Sequence, residues 1–358
     1  MNLVQYPPAI HTAFNPIIVK FAVADVETEA IIKIAFGDHD TLPFSFITKS
    51  REYFNGIVIF DLRNLIKSAF IDAQNAIGSI VVDDLLSIVY SVFDGYTGTL
   101  LFKSLALNSV VQIGQSSDKT NLRGKFLTSF DRILFYPGYE RNVSCLAFET
   151  GGTYVRFNGD AFTNTTQKHF NVAISGQYSI ELSNNDTDPY LRDNEGRQII
   201  TNAFLPIEVA NVPDGFIQNS KDVTDGSYSS PFYVKWINQQ GGWDYWMFSH
   251  RQYITKTVIN PQTFNPFVQD QQTTKGFTEL VTQDAVEKIK VGASSMSENE
   301  FKCVSKLIYS PLIQWFNEDT RLWSTILIDG DGASEDDTRS PLKWIELSFI
   351  LPTPQLQF

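Results

Sequence analysis

The chain is predicted to be mainly β: two or more antiparallel, immunoglobulin-like sandwich units in series, followed by a C-terminal α+β portion with one short helix. Three observations predict this. Apolar, β-branched and aromatic runs of five to nine residues recur between Gly-, Asn- and Asp-rich turn segments, the pattern of short strands. Aromatic residues make up 13% of the 358 positions, with 28 Phe, while charged residues are only 19%, which suits much buried sheet surface. The segment Phe232 to Phe248, FYVKWINQQGGWDYWMF, places three of the six Trp residues on two apolar runs separated by Asn238-Gln239-Gln240-Gly241-Gly242.

Taken in order, residues 16–24 and 30–36 read as strands around an acidic turn, Asp25 to Glu29. A third strand, Gly56 to Phe60, runs into Asp61, a residue suited to cap a short helix with Leu62, Leu65, Ile66 and Phe70 at helical spacing. That helix is expected to close an open sandwich edge. Strands at 86–93 and 99–107 flank Asp94-Gly95-Tyr96-Thr97-Gly98, a hairpin turn. The polar stretch Gln115 to Asn121 marks a boundary, after which strands are expected at 131–136, 143–149, 153–158, 169–174, 177–182 and 205–210. Gly151-Gly152, Gly176 and the run Asn184 to Asp188 punctuate them. The resulting division is an N-terminal sandwich over 1–114, a middle β domain over 115–230 and a C-terminal β-rich domain over 231–358.

In the last third, Phe232 to Ile237 and Trp243 to Phe248 form the arms of a β-hairpin, with Gly241 and Gly242 making the turn because they reach backbone angles that a Cβ resists. Ser297 with Glu300 three residues on is a capping box, opening a helix whose apolar series is Phe301, Val304, Leu307 and Ile308. Ser310-Pro311 stops it. Strands follow at 312–316, 321–328 and 343–351, and Pro352 and Pro354 end the last one.

Composition also bounds function. A net charge of -12 opposes a broad positive surface for nucleic acid, so no direct nucleic-acid contact is expected. The N-terminal residues lack a basic region followed by an apolar one, and no apolar run has the length of a membrane span, so synthesis in the cytoplasm is expected. Cys145 and Cys303 lack metal or redox spacing and read as two buried, unpaired thiols. The four histidines are scattered, and neither phosphate-binding glycine loops nor a nucleophile elbow is present, so no enzyme and no cofactor is expected.

Three sets of side chains remain as candidates. Asp329 and Asp331, in the acidic loop that follows residue 328, present oxygens at alternating positions suited to calcium, but the glycine and glutamate offsets of an EF-hand are missing and a solvated hairpin loop is the simpler reading. The pairs Asp38 with Asp40 and Asp186 with Asp188 supply the two acids glycoside hydrolysis needs, although turn formation accounts for such residues in Asn- and Gly-rich stretches. Trp236, Trp243, Tyr245 and Trp246 are interface or ligand-platform candidates, since large amphipathic rings are favoured in cores, at protein contacts and against sugar faces. Of these, Trp236 is expected to be buried, as is Phe248.

Three motifs carry a resemblance: VIFDLRNLIKSAF (Val58 to Phe70), KWINQQGGWDYWMFS (Lys235 to Ser249) and SENEFKCVSKLIYSPLIQWF (Ser297 to Phe316), the last leading to a strand that ends at Leu351-Pro352. In them the chain resembles structural proteins from the tail and virion modules of tailed phages and prophages of Bacteroidetes, including crAss-like phages. In the second motif Trp236, Asn238, Gly241, Gly242, Asp244 and Phe248 stand at matching positions. Residues 115–230 carry no part of it. The resemblance implies a non-enzymatic component of a phage tail, baseplate or neck, resident in the virion and acting by self-assembly in a homo-oligomeric ring with other virion proteins. The alternative is a carbohydrate-binding adhesin or receptor-binding module, with Trp243, Tyr245 and Trp246 as the platform for a host surface glycan.

Overall fold

A computed structural model describes residues 2–22, 29–52, 56–70, 74–77, 80–83, 85–112, 115–148, 153–157, 160–165, 168–175, 179–183, 190–192, 198–200, 203–210, 231–248, 250–264, 279–318, 320–330, 333–335 and 343–352. It is mainly β. The N-terminal strands are β1 (Asn2–Gln5), β2 (Ile10–Thr12), β3 (Ile18–Ala22), β4 (Glu29–Phe36), β5 (Ile47–Glu52) and β6 (Ile57–Asp61). After helix α1 (Arg63–Lys67) come β7 (Gln74–Ile77), β8 (Ile80–Asp83), β9 (Ser87–Asp94) and β10 (Leu100–Leu107). The middle of the chain adds β11 (Ile133–Phe135), β12 (Asn142–Leu146), β13 (Thr153–Phe157), β14 (Asp160–Thr165), β15 (His169–Ala173), β16 (Ser179–Ser183), β17 (Tyr190–Arg192), β18 (Gln198–Ile200) and β19 (Ala203–Val209). The remainder holds β20 (Phe232–Ile237), β21 (Trp243–Phe248), β22 (His250–Phe264), β23 (Glu279–Met296), helix α2 (Glu298–Ser305), β24 (Ile313–Asn317), β25 (Leu322–Ile328), β26 (Ala333–Glu335) and β27 (Lys343–Ile350).

Two compact units result. The first comprises Met1–Val212, Trp236–Asp244 and Tyr309–Pro311; the second comprises Pro213–Lys235, Tyr245–Ile308 and Leu312–Phe358.

The first unit contains two sandwich cores. In one, the sheet β1-β3-β6 faces the sheet β2-β10-β9-β4-β5. Alternate residues point inward, as the period of two requires: Val19 and Phe21, Ala30, Ile32 and Ile34, Val58 and Phe60, Tyr90 and Val92 form one buried cluster. Each such Ile, Val or Phe contributes about 1.5–3 kcal/mol by leaving water. Helix α1 adds Ile66 to this cluster, as expected for a helix closing the sandwich. Its N-cap is Leu62 rather than Asp61, whose carboxylate instead accepts from the Arg63 and Ile17 amides at 2.9 and 3.2 Å.

The second core lies between the sheets β11-β19-β16-β13-β14 and β12-β15-β8-β7. Val155, Phe157, Ile180 and Leu182 oppose Val143, Cys145, Phe170 and Val172. The β7–β8 hairpin comes from the N-terminal segment, yet β8 pairs with β15 through Asn171↔Val81 and Val172↔Ile80. Strands from both sides of residue 115 thus complete one sheet. Most pairings are antiparallel, while β2 beside β10 and β11 beside β19 are parallel, each at a sheet edge. A third cluster of Ile10, Leu105, Leu107, Leu127 and Leu146 joins residues of the two sandwiches.

In the second unit the sheet order is β21-β20-β24-β25-β27-β23-β22, with β26 paired to β27. The expected capping box opens α2: Ser297 Oγ accepts from the Glu300 amide at 3.2 Å, and Glu300 accepts from the Ser297 amide at 2.9 Å. Phe301, Cys303, Val304 and Leu307 are buried along this helix and the 3-10 turn that follows, whereas Ile308 is exposed. Neither cysteine is in a disulfide, and both are buried.

Candidate functional site

The expected hairpin forms, and its turn is built into the first unit. The Asn238 side chain organises it: Oδ1 accepts from the Gln240 and Gly242 amides at 2.8 and 3.2 Å, while Nδ2 donates to the Leu127 carbonyl at 2.8 Å. Gly241 has φ +86°, and a Cβ there would lie 2.7 Å from Leu107 Cβ. At Gly242 a Cβ would lie 2.1 Å from the Leu127 carbonyl oxygen, so close backbone approach excludes a side chain. Neighbouring polar groups also find partners. Trp243 donates its amide to Ser144 Oγ at 3.0 Å. Asp244, completely buried, accepts from Thr128 Oγ1 at 2.6 Å and from the Ser129 amide at 3.2 Å. Burial pushes its carboxyl up from the ordinary value, and the bonds from Thr128, Ser129 and Asn238 oppose that shift.

The arms continue into the second unit as an aromatic core. Tyr233 stacks on Tyr245 with centroids 5.9 Å apart and tilts against Trp323 at 5.5 Å. Phe232 stacks on Trp315 at 5.7 Å, and Phe248 lies 6.3 Å from Phe349. Lys235, itself buried, holds its ammonium 4.4 Å from the Trp323 ring centroid, a cation–π placement that offsets the loss of hydration.

Every ring singled out in the sequence is interior: Trp236 is 0% exposed, Tyr245 1%, Trp243 2% and Trp246 7%. Trp236 packs edge-on to Phe130 at 6.3 Å. A buried ring has no face to offer a glycan or a second subunit, so these four side chains act within the chain. Phe248 is buried as well.

The acidic candidates are also engaged. Asp329 pairs with Lys288 at 2.6 Å, and Asp331 lies outside the described residues, as do Asp186 and Asp188. Among the described residues no group of three or more His, Cys, Asp or Glu is placed to hold a metal. Asp38 and Asp40 do not face each other across an open cleft as a hydrolytic pair would; both are bound to Lys103 at 2.6 Å.

The surface feature that sequence reasoning passed over is the edge of the first sandwich. Strand β5, ITKSRE, is the last strand of its sheet and is exposed at all six positions. Strand β6 is the last strand of the facing sheet; Val58 and Phe60 point inward, Ile57 and Ile59 outward. Arg51 of β5 donates to the Ile59 carbonyl at 2.5 Å, tying the two edges together. Phe44, fully exposed, and Phe46 precede β5, and the Lys33 ammonium lies 5.3 Å from the Phe46 centroid. Phe44, Phe46, Ile47, Ile57 and Ile59 are exposed on or next to these two edge strands, and an edge strand is the kind of surface that pairs with another chain. Its signal in the sequence is slight: β-branched Ile47 and Thr48 just after two Phe. Leu322, Leu327 and Trp344 are exposed on the second unit.

No protein-family model matches the sequence, and no curated protein matches it. Among solved structures, the crystal structure of invasin, a bacterial integrin-binding protein, is similar at 11% identity with a TM-score of 0.18, covering 81% of this chain and 55% of that one. The chain spans about half the length of the structure it matches, and at that score neither fold nor function is taken from it. Among the described residues no helix is long and apolar enough to cross a membrane.

Proposed function

We propose that the chain is a non-enzymatic building block of a phage virion, placed in the tail, baseplate or neck. It is made in the host cytoplasm and assembles with copies of itself and with other virion proteins. The observation that carries the assembly reading is the exposed β5 edge with Phe44, Ile57 and Ile59 alongside it. An incoming strand gains main-chain hydrogen bonds along such an edge, and exposed apolar side chains next to it add area to the contact. Repetition of one heterologous contact closes a ring when its rotation closes. The placement in a virion rests on the three sequence motifs, and the charge of -12 supports a subunit that stays clear of the packaged genome.

Sedimentation of the purified chain over a concentration series tests assembly, and mass spectrometry of purified particles tests location. A concentration-dependent oligomer lost in Phe44→Glu/Ile59→Glu, together with peptides of the chain in particles, is the expected result. A chain that stays monomeric and is absent from particles overturns the reading.

A further inference from the structure

The second unit carries an open strand edge of its own. β22 and β23 pair from His250↔Gly292 to Phe264↔Glu279, whereas β27 pairs with β23 only from Met296↔Lys343 to Lys288↔Ile350. The Leu351 amide adds a last bond to the Glu287 carbonyl at 2.9 Å. From Val286 back to Glu279, β23 therefore has β22 on one side and, among the described residues, no strand on the other. A two-stranded ribbon is marginal in water by itself, and a third strand stabilises it.

The two edges of this ribbon differ. β22 contains Pro261, which has no N–H to donate, and it gains an extra residue against β23 between Ile259 and Gln262. Proline and a bulge both blunt an edge against further pairing. β23 has neither over Thr282 to Glu287, where Thr and Val suit a strand and the chain runs without proline or glycine. The edge left open is the one fit to accept another strand, and it is long enough to take most of the six residues of β5.

We propose that β5 of one copy adds to this open edge of β23 in a second copy. The inference rests on the assembly reading above and names the surface that β5 meets. Charge selects the pairing. In a chain of net -12, β5 carries Lys49 and Arg51 beside a single carboxylate, Glu52, whereas the stretch from Glu279 to Glu287 carries Glu279, Asp284 and Glu287 and no cation. An antiparallel register with Lys49 opposite Asp284 also sets Ile47 opposite Val286 and Ser50 opposite Gln283. The parallel register that keeps Lys49 at Asp284 instead sets Glu52 against Glu287. Opposite charges directly across two strands attract and like charges repel, so the antiparallel register is the favoured one. Main-chain hydrogen bonds supply the affinity, as in other strand additions. The contact joins two different surfaces, so it is heterologous and repeats from copy to copy.

Disulfide trapping in the full chain tests the pairing. Residues directly opposite on antiparallel strands have Cα atoms about 4.5–5.5 Å apart, within reach of a disulfide. The native cysteines are both buried. Ser50→Cys and Gln283→Cys chains, mixed under mild oxidation, should form a cross-linked dimer that neither forms alone. In sedimentation velocity, Lys49→Glu and Asp284→Lys should each weaken association about tenfold, one attraction being exchanged for one repulsion, and the double variant should restore most of it. Thermal melts confirm that each variant is folded. A cross-link in the mixture, or restoration in the double variant, sustains the proposal. Wild type that stays monomeric overturns both the proposal and the assembly reading. Wild type that assembles while the mixture gives no cross-link and the two reversals do not compensate overturns the proposal alone. So does a single-cysteine variant that cross-links to itself.

Discussion

The hairpin around Trp236 and the edge formed by β5 and β6 are both rich in large apolar side chains, yet one is sealed and the other open. In β20 and β21 all six positions of each strand are buried, so aromatic density there reflects packing on both faces. In β5 all six positions are exposed, and in β6 every second one is. Aromatic content alone therefore does not mark a contact surface. What separates the two regions is hydrogen-bond closure. Asn238, Gly242, Trp243 and Asp244 find partners within the fold, whereas β5 ends its sheet.

The comparison breaks most readily at the hairpin. Gly242→Ala drives a methyl group into the Leu127 carbonyl, and Trp236→Ala empties a fully buried ring site. Each should lower unfolding free energy by about 3 kcal/mol or more in urea titrations. Asp244→Ala leaves Thr128 Oγ1 and the Ser129 amide without their acceptor, and a loss of about 2–3 kcal/mol is expected by the same measurement.

A third test uses pH. Burial lowers the His169 imidazole from 6.5 to about 3, so between those values the unfolded chain takes up a proton that the folded chain refuses. Stability from the neutral ring is full above pH 6.5 and is lost as pH falls toward 3. His11 is lowered for the same reason. Asp244, pushed up, runs the other way: its contribution is present at low pH and is lost as pH rises through its folded value. The His169 part is isolated by subtracting His169→Gln from wild type. That difference should decline below pH 6.5 by at most about 1.4 kcal/mol per pH unit. A difference that does not change with pH would place His169 in contact with water.

The smallest stability effect belongs to the open edge. Phe44→Ser and Ile59→Ser should each change the unfolding free energy by less than about 0.5 kcal/mol while altering association. A large loss of stability from either would mean that these side chains are part of the core.

Much of the fold is legible in the sequence where local chemistry decides it. β3, β4, β6, β9 and β10 fall within two residues of their predicted runs, because inward Val, Ile and Phe alternate with outward residues in β3, β4 and β6, and β9 and β10 are apolar runs bounded by the turn at Asp94 to Gly98. The turn after β9 follows from Asp94, whose carboxylate accepts from the Tyr96 and Thr97 amides at 2.9 Å. The Ser297 capping box is equally local. Distant pairings leave no such trace. Nothing in residues 74–83 announces that β8 will pair with β15, and β5 is too polar to read as a strand. Asp38 accepts from lysines 65 and 130 residues away, a pairing no local pattern announces. The hairpin is predicted as a hairpin with Trp236 and Phe248 buried, but the burial of Trp243, Tyr245 and Trp246 is not, since a continuous aromatic run reads alike in a core and at an interface.

The claim that the β5–β6 edge, and not the aromatic hairpin, is where this chain meets its neighbours is tested most directly by sedimentation velocity. Wild type is compared with Phe44→Glu/Ile59→Glu across a concentration series, with thermal melts alongside. The account predicts a concentration-dependent oligomer for wild type and a monomer with an unchanged melting temperature for the variant. Wild type that stays monomeric throughout, or a folded variant that assembles as wild type does, would contradict it.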